Sequence, residues 1–171
     1  VTRPLTAKEL SEAGWTSDQM VYDTRNLLHY FRLMPDRRML FGMRGGLMTG
    51  PTAEGRAISR VRRDFDAMFP AWSGVETPYA WSGMVCIARD QMPFVGCVPD
   101  HKNLFAALCY HGNGVAMGSY SGAIIAKVAL GQMVDCPYPK SIQKPLNTFE
   151  FGSLRRAVMP LAYLGFALAD R

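Results

Sequence analysis

The pattern of apolar and polar positions divides the chain into segments of strand and helix character. Residues 27–33 and 39–42 are rich in aromatic and long apolar residues, and a turn segment at 34–38 separates them. Two such runs around a turn predict a β-hairpin. Farther along, apolar residues recur at steps of three and four over 53–69, which predicts an amphipathic helix that Pro70 ends.

Strand character returns in the second half of the chain. Residues 75–81, 84–88 and 94–95 are apolar runs interrupted by glycine and proline, and they predict short strands. Residues 104–110 form a continuous apolar run, which is typical of a strand that is covered on both faces. We also expect a terminal helix at 153–169, kinked or restarted at Pro160.

The run at 104–110 leads directly into a glycine-rich turn at 111–114 and then into a predicted helix at 115–130, whose only charge is Lys127. A helix that is apolar nearly all round belongs in an interior. Small residues recur on one face of this helix at every fourth position: Gly114, Gly118, Gly122 and Ala126. Each interior glycine costs about 1 kcal/mol relative to alanine, so either a neighbouring helix or a flat cofactor is expected to approach this face.

The start of this helix is a candidate binding site. Unpaired N–H groups and the helix dipole favour an anion or an electron-rich ring edge there. A dinucleotide fingerprint is rejected, because residues 132–140 contain two prolines and no strand pattern that would carry Asp135. The alternative, in which the glycines serve helix packing alone, stays open.

Composition narrows the classes of function. The chain has 171 residues, 49% of them hydrophobic, which suffices for a globular core, and its net charge is +5. The basic residues are scattered, so nucleic-acid binding is not expected. The four cysteines and three histidines lack metal-ligand spacing, and no metal site is predicted. We expect free thiols in a cytoplasmic protein and no membrane span, because the apolar stretch 157–169 is short.

Four motifs resemble, in order and spacing, those of the FAD-dependent D-amino-acid oxidase-like oxidoreductases, which include glycine, sarcosine and γ-glutamylputrescine oxidases. The motifs are Thr2-Arg3-Pro4-Leu5, the hairpin segments 30–33 and 40–42, the segments 81–83 and 89–96, and the turn 110–116. The resemblance covers residues 1–131. Because the start lacks both an initiator methionine and the family's Gly-x-Gly-x-x-Gly unit, the chain is interpreted as the carboxyl-terminal portion, with the FAD-binding half as its missing partner.

The resemblance implies that the glycine turn lies by the pyrimidine end of the isoalloxazine of FAD. The implied cofactor-binding residues are Gly112, Asn113, Gly114, Val115 and Ala116. Their N–H groups would stabilise negative charge that builds on the flavin as hydride arrives. The cysteine that tethers flavin in some members aligns near Gly83, so we expect noncovalent FAD that this chain alone binds poorly.

The implied substrate is a small amine or amino acid. Substrate contacts are assigned to Tyr30, Arg32, Arg44 and Trp81, and an arginine there would pair with a substrate carboxylate. An exposed arginine or a structural ion pair is the competing interpretation for each. No catalytic residue is assigned, because hydride transfer needs positioning rather than a strong acid or base. His111 is interpreted as a supporting or surface residue.

These observations give an α+β fold: an antiparallel substrate-domain sheet with a crossing helix, and the strand and helix of an incomplete FAD-binding domain. The expected division is a connecting segment at 1–16, the substrate domain at 17–88, a returning FAD-binding segment at 89–135 and a helical tail at 136–171. The expected function of the complete protein is amine or amino-acid oxidation. The alternative is a noncatalytic interaction module that keeps the substrate-domain scaffold.

Overall fold

The computed structural model describes residues 1–44, 46, 48 and 50–170, with the side chains of Ser153, Arg155 and Arg156 left out. The chain forms two compact units, Val1–Ser82 with Arg156–Arg171, and Gly83–Arg155. In the described residues the fold is mixed, with two small antiparallel sheets and four α-helices. The α+β prediction is therefore confirmed at this level. The helices are α1 (Ala7–Glu12), α2 (Pro51–Met68), α3 (Gly114–Ala129) and α4 (Arg155–Ala169).

The first unit contains a three-stranded antiparallel sheet in the order β1 (Val21–Tyr22), β2 (His29–Leu33), β3 (Met39–Met43). The predicted hairpin is β2 and β3, with Phe31 opposite Phe41. Alternation along β2 sends His29 and Phe31 into the core and their neighbours outward. The sheet therefore has one buried face and one open face.

Helix α2 covers the buried face, as the spacing of its apolar residues predicts. It begins with Pro51 after Gly50, and a proline in the first turn costs nothing because its missing N–H has no helical partner. Phe65 is its one fully buried residue and stands edge-on to Phe41 at 5.6 Å. Trp72 follows in a 3₁₀ turn (Pro70–Trp72) and is completely buried. Aromatic residues thus make up half of the buried residues of this core, namely Phe31, Phe65 and Trp72.

Residues at the start of the chain belong to the core of the first unit. Leu5 is 1% exposed, and the Thr2 hydroxyl accepts the N–H of Met39 at 2.9 Å. Helix α1 starts at a capping box, in which Thr6 and Glu9 each accept the other's backbone N–H. The Trp72 indole N–H then donates to the Glu9 carbonyl at 2.9 Å, which joins α1 to the aromatic core.

His29 connects three elements of this unit. Its ring is 3% exposed, and its nitrogens lie 2.7 Å from Asp23 Oδ2 and 3.4 Å from Asp64 Oδ2. Burial raises the pKa of the Asp23 carboxyl, but hydrogen bonds from the His29 ring and from backbone N–H groups outweigh it, and the net pKa lies below the ordinary value. His29 therefore joins β2 to the loop after β1 and to α2 through a buried polar network.

The second unit is built on a two-stranded sheet of β4 (Phe94–Cys97) and β5 (Phe105–Leu108), with α3 packed on it. Val95 and Ile124 are fully buried at its centre, and Ile142 adds a third core residue. The Tyr138 hydroxyl donates to the Val95 carbonyl at 2.7 Å. The predicted strand–turn–helix sequence is confirmed.

Two local predictions are wrong. Residues 75–81 and 84–88 are not strands. Among the described residues, 75–81 makes isolated hydrogen bonds, such as that from the Arg3 N–H to the Glu76 carbonyl at 2.9 Å, and no described strand runs beside 84–88. The expected full burial of β5 and α3 is also wrong. All four β5 residues are half-buried, and α3 buries only Ser121 and Ile124.

The terminal helix is continuous through Pro160, so it does not restart there, and the kink that was expected as the alternative stays a prediction. Beyond it, the Asp170 carboxylate accepts the backbone N–H groups of Asn26 and Leu27, each at 2.8 Å, and these bonds lower the pKa of that carboxyl. Within the described residues, no helix has the length and apolar character that crossing a bilayer requires.

Candidate functional site

The turn between β5 and α3 has an unusual backbone. Cys109, His111 and Gly112 have φ values of 66°, 54° and 103°, so three of four consecutive residues are left-handed. For cysteine and histidine this conformation costs on the order of 1–3 kcal/mol each, and such strain is typical of functional sites. The Asn113 N–H closes the turn on the Tyr110 carbonyl at 2.9 Å. The chain therefore reverses sharply and presents the start of α3 to the surface.

The start of α3 offers unpaired donors. Asn113 is the N-cap but its side chain makes no capping bond, and its carbonyl accepts the N–H of Met117 at 2.9 Å. The N–H groups of Gly114, Val115 and Ala116 have no acceptor in the part of the chain that the structure describes. Val115 is 94% exposed, and the first turn carries no acidic side chain. These donors and the helix dipole favour an electron-rich group.

The distribution of charged side chains along α3 also favours an electron-rich group at its amino-terminal end. Lys127, in the last turn, pairs with Asp135 and lowers the pKa of that carboxyl. A cation near the helix C-terminus complements the dipole there. The amino-terminal end is left without an ionised side chain of either sign among Gly114 to Met117.

A groove of about 370 Å³ opens beside the turn, within the second unit. One wall is the segment 84–86, and the other is the end of β5 with the turn itself. Its lining is mostly apolar, and its polar side chains are Tyr110, His111 and the two thiols of Cys86 and Cys109. His111 is half-buried, and its Nε2 is buried without a hydrogen-bond partner among the described residues. Gly112 and Gly114 belong to its lining, so the groove borders the start of α3.

The two thiols lie side by side in this groove. Cys86 Sγ is 3.2 Å from Cys109 Sγ, and both cysteines are free. Burial, then the hydrogen bond with Cys86, raises the pKa of the Cys109 thiol to about 11. Sequence reasoning missed this pair because 23 residues separate the two positions and no motif connects them. No cluster of possible metal ligands occurs in the described residues.

The proposed substrate residues lie in the first unit. Tyr30 and Arg32 are two positions apart on β2 and share the open face of the sheet. The Tyr30 ring lies across Gly42, where an added Cβ would come within 2.3 Å of it. The Arg32 side chain donates through Nε to the Asp18 carbonyl at 2.9 Å. The structure thus places an aromatic ring and a cation together on one exposed surface.

Arg44 and Trp81 are also exposed in this unit. Arg44 follows β3, and its N–H donates to the Leu28 carbonyl at 3.0 Å, which extends the hairpin by one step. Trp81 is 68% exposed. Neither Arg32 nor Arg44 has a carboxylate partner among the residues that the structure describes. The Arg44 guanidinium and the two terminal nitrogens of Arg32 are therefore available to an anionic ligand.

The sequence model of the DAO family, described as FAD dependent oxidoreductase, matches residues 1–128. The chain belongs to this family. The match includes the glycine turn and the whole three-stranded sheet. The recognition from four short motifs is thereby confirmed.

Relatives carry names from the same class of enzyme. The chain is 33% identical over 156 residues to "Probable oxidoreductase OrdL" of Rhizobium meliloti (strain 1021), an alignment that covers 90% of this chain and 35% of that protein. It is 28% identical over 131 residues to "Gamma-glutamylputrescine oxidoreductase" of Escherichia coli (strain K12), over 77% of this chain and 30% of that protein. The chain thus spans about a third of the length of the curated relatives that it matches.

Proposed function

We propose that this chain supplies the flavin-facing turn and the substrate-domain sheet of an enzyme that oxidises an amine or amino acid. The observation that carries the proposal is the row of three unpaired N–H groups at the exposed start of α3, beside an open groove. Membership of the FAD-dependent family and the name of the Escherichia coli relative support the same chemistry.

The residues present fit the pyrimidine edge of a flavin. That edge carries hydrogen-bond acceptors and gains negative charge on reduction, which is what fixed N–H donors at a helix start stabilise. Gly112, with φ 103°, and Gly114 leave the approach free of side chains. Asn113, Val115 and Ala116 complete the backbone cradle. When bound, FAD supplies the acceptor for a hydride from the substrate carbon.

The donors act without reorganisation, because the turn and helix hold them in place before reaction. Preorganised donors of this kind contribute about 3–4 kcal/mol each to a reaction in which charge develops. The chain's contribution to rate is therefore positioning and charge stabilisation, and it needs no strong acid or base.

The sheet's open face is proposed as the substrate surface. Arg32 and Arg44 would each bind a carboxylate through paired N–H groups, and Tyr30 and Trp81 would contact the carbon skeleton. The FAD is proposed to bind noncovalently, because the resemblance places the cysteine that tethers flavin in some family members near Gly83. We further propose that this chain alone binds FAD poorly, and that the residues which hold the ADP half lie in the remainder of a complete protein.

The test is an anaerobic titration of protein made from the complete reading frame with a panel of primary amines, N-methyl amino acids and amino acids. We expect a visible flavin band that one class of amine bleaches. Protein without flavin, or flavin that none of these donors reduces, would favour the noncatalytic interaction module instead.

Steady-state kinetics of two variants of the complete protein test the proposed substrate surface. Arg32→Gln and Arg44→Gln are expected to raise KM for carboxylate-bearing amines and to leave kcat nearly unchanged, because they remove binding rather than chemistry. Arg56→Gln, an exposed arginine on the outer side of α2, is the matched control and should change neither constant. Unchanged KM in both sheet variants would remove these arginines from the proposal.

A further inference from the structure

The two groove thiols are close enough to bond. Cys86 Sγ and Cys109 Sγ are 3.2 Å apart, and an approach of about 1 Å would bring them to the disulfide length of about 2.05 Å. Both are free cysteines, and neither contacts a metal-ligand cluster in the described residues. The pairing is specific, because Cys97 instead directs its sulfur at the His101 carbonyl at 3.1 Å and Cys136 packs in the core around Ile124.

The two cysteines differ in access. Cys86 is exposed on the segment 84–86, whereas Cys109 is 3% exposed at the end of β5. The raised pKa of the Cys109 thiol, which burial causes, keeps it protonated at neutral pH. Reaction with a dissolved oxidant therefore begins at Cys86, and Cys109 stands in contact with it as the second thiol.

We propose that Cys86 and Cys109 form a redox modification site, at which a hydroperoxide oxidises the pair to a disulfide. In the first step the Cys86 thiolate attacks the hydroperoxide; its sulfur becomes a sulfenic acid, and the O–O bond breaks to release an alcohol or water. In the second step the Cys109 sulfur attacks that sulfenic sulfur, an S–S bond forms, and its proton leaves with the hydroxyl as water. The two sulfurs lose two electrons, which reduce the peroxide oxygens.

The cross-link would act on the groove itself. Cys86 lies on one wall and Cys109 on the other, where Cys109 is the first left-handed residue of the turn. No described backbone hydrogen bond joins 84–87 to β5, so the disulfide would be a new link between them. A disulfide would fix the two walls together beside the donors of α3. The chemical proposal does not depend on flavin binding, because its readout is the state of the two thiols.

Peptide mapping tests the site without a variant. Each cysteine falls in its own tryptic peptide: Cys86 in 64–89, Cys97 in 90–102, Cys109 in 103–127 and Cys136 in 128–140. The folded protein is treated with hydrogen peroxide, quenched with iodoacetamide, and digested without reductant. We expect peptides 64–89 and 103–127 to appear joined and two hydrogens lighter than their sum, and dithiothreitol to separate them. Peptide 90–102 is expected to stay alkylated.

Two variants test whether the cross-link requires Cys86 and does not require Cys97. Cys86→Ser, at an exposed position, should leave Cys109 alkylatable only after unfolding and should abolish the joined species. Cys97→Ser, also at an exposed position, should leave the joined species unchanged. The proposal is overturned if Cys86 accumulates as sulfinic acid while Cys109 stays reduced, or if Cys86 joins Cys97 or Cys136 instead.

Discussion

Replacing Gly118 and Gly122 with alanine tests whether another element or the cofactor packs against the face of α3 on which the small residues lie. Both glycines lie inside a helix of 16 residues, and a Cβ built at either position meets nothing within 4 Å. In this chain the replacements are therefore free of clashes. Each should stabilise the helix by about 1 kcal/mol, which is the difference in helix propensity between the two residues.

Together the two replacements should stabilise this chain by about 2 kcal/mol, and a gain of this size raises Tm by about 2–4 °C per kcal/mol in a protein of 150–250 residues. In the protein from the complete reading frame we expect the opposite sign. The sequence interpretation expects a neighbouring helix or the cofactor against this face, and overpacking of a close contact costs about 1–3 kcal/mol. Thermal unfolding followed by circular dichroism measures both effects.

The matched control is Gly55→Ala, which lies inside α2 and also has open space around its added Cβ. It should stabilise this chain and the complete protein equally. If Gly118→Ala and Gly122→Ala stabilise the complete protein as much as Gly55→Ala does, nothing approaches α3 and the interpretation of its glycines is refuted.

Two further predictions concern the first unit. His29→Leu should destabilise the protein by about 1–3 kcal/mol in urea unfolding, because Asp23 and Asp64 lose a buried partner. The control His101→Leu, at an exposed position, should change the free energy of unfolding little. Equal effects of the two replacements would contradict the network around His29. The hydrogen bond from Arg3, then that from the Thr6 backbone, lowers the pKa of Glu9 from 4.5 to about 2. Since its folded pKa is depressed, its contribution to stability is present above pH 4.5 and is lost as pH falls toward about 2. A carboxyl NMR titration should show that midpoint, and Arg3→Ala should return it toward 4.5; a midpoint near 4.5 in both proteins would contradict the contact.

Elements with a clear period were predictable from the sequence. The hairpin of β2 and β3 and the helix α2 follow from alternation and from steps of three and four, and the structure places them within a few residues of the expected bounds. The capping box at Thr6 and Glu9 is also a sequence signal, and it would have revealed α1. The residues within each of these segments therefore suffice to predict the hairpin and the two helices.

Other features depend on contacts between distant residues. The apolar run 84–88 has the composition of a strand, yet strands exist only when a partner pairs with them, and no described strand lies beside it. The half-burial of β5 and α3 has a related origin, because these elements carry more apolar surface than the described residues cover. The contact between Cys86 and Cys109 likewise arises from the fold and has no sequence signal.

The candidate site was predicted in part. The glycine turn and its free N–H groups follow from the strand–turn–helix pattern, and the family resemblance adds the chemistry. Left-handed Cys109 and His111 were not predictable, since neither residue type favours that conformation as glycine does. The roles of Tyr30, Arg32, Arg44 and Trp81 stay predictions.

The most direct test of the central claim is the flavin-to-protein absorbance ratio of the complete protein with a substitution at either end of α3. Gly112 and Gly131 both have positive φ, at 103° and 65°, so Gly112→Ala and Gly131→Ala both strain the backbone. We predict that Gly131→Ala retains FAD and that Gly112→Ala loses most of it, while melting curves show that both variants fold. Equal retention of FAD by the two variants would contradict the assignment of the glycine turn to the flavin.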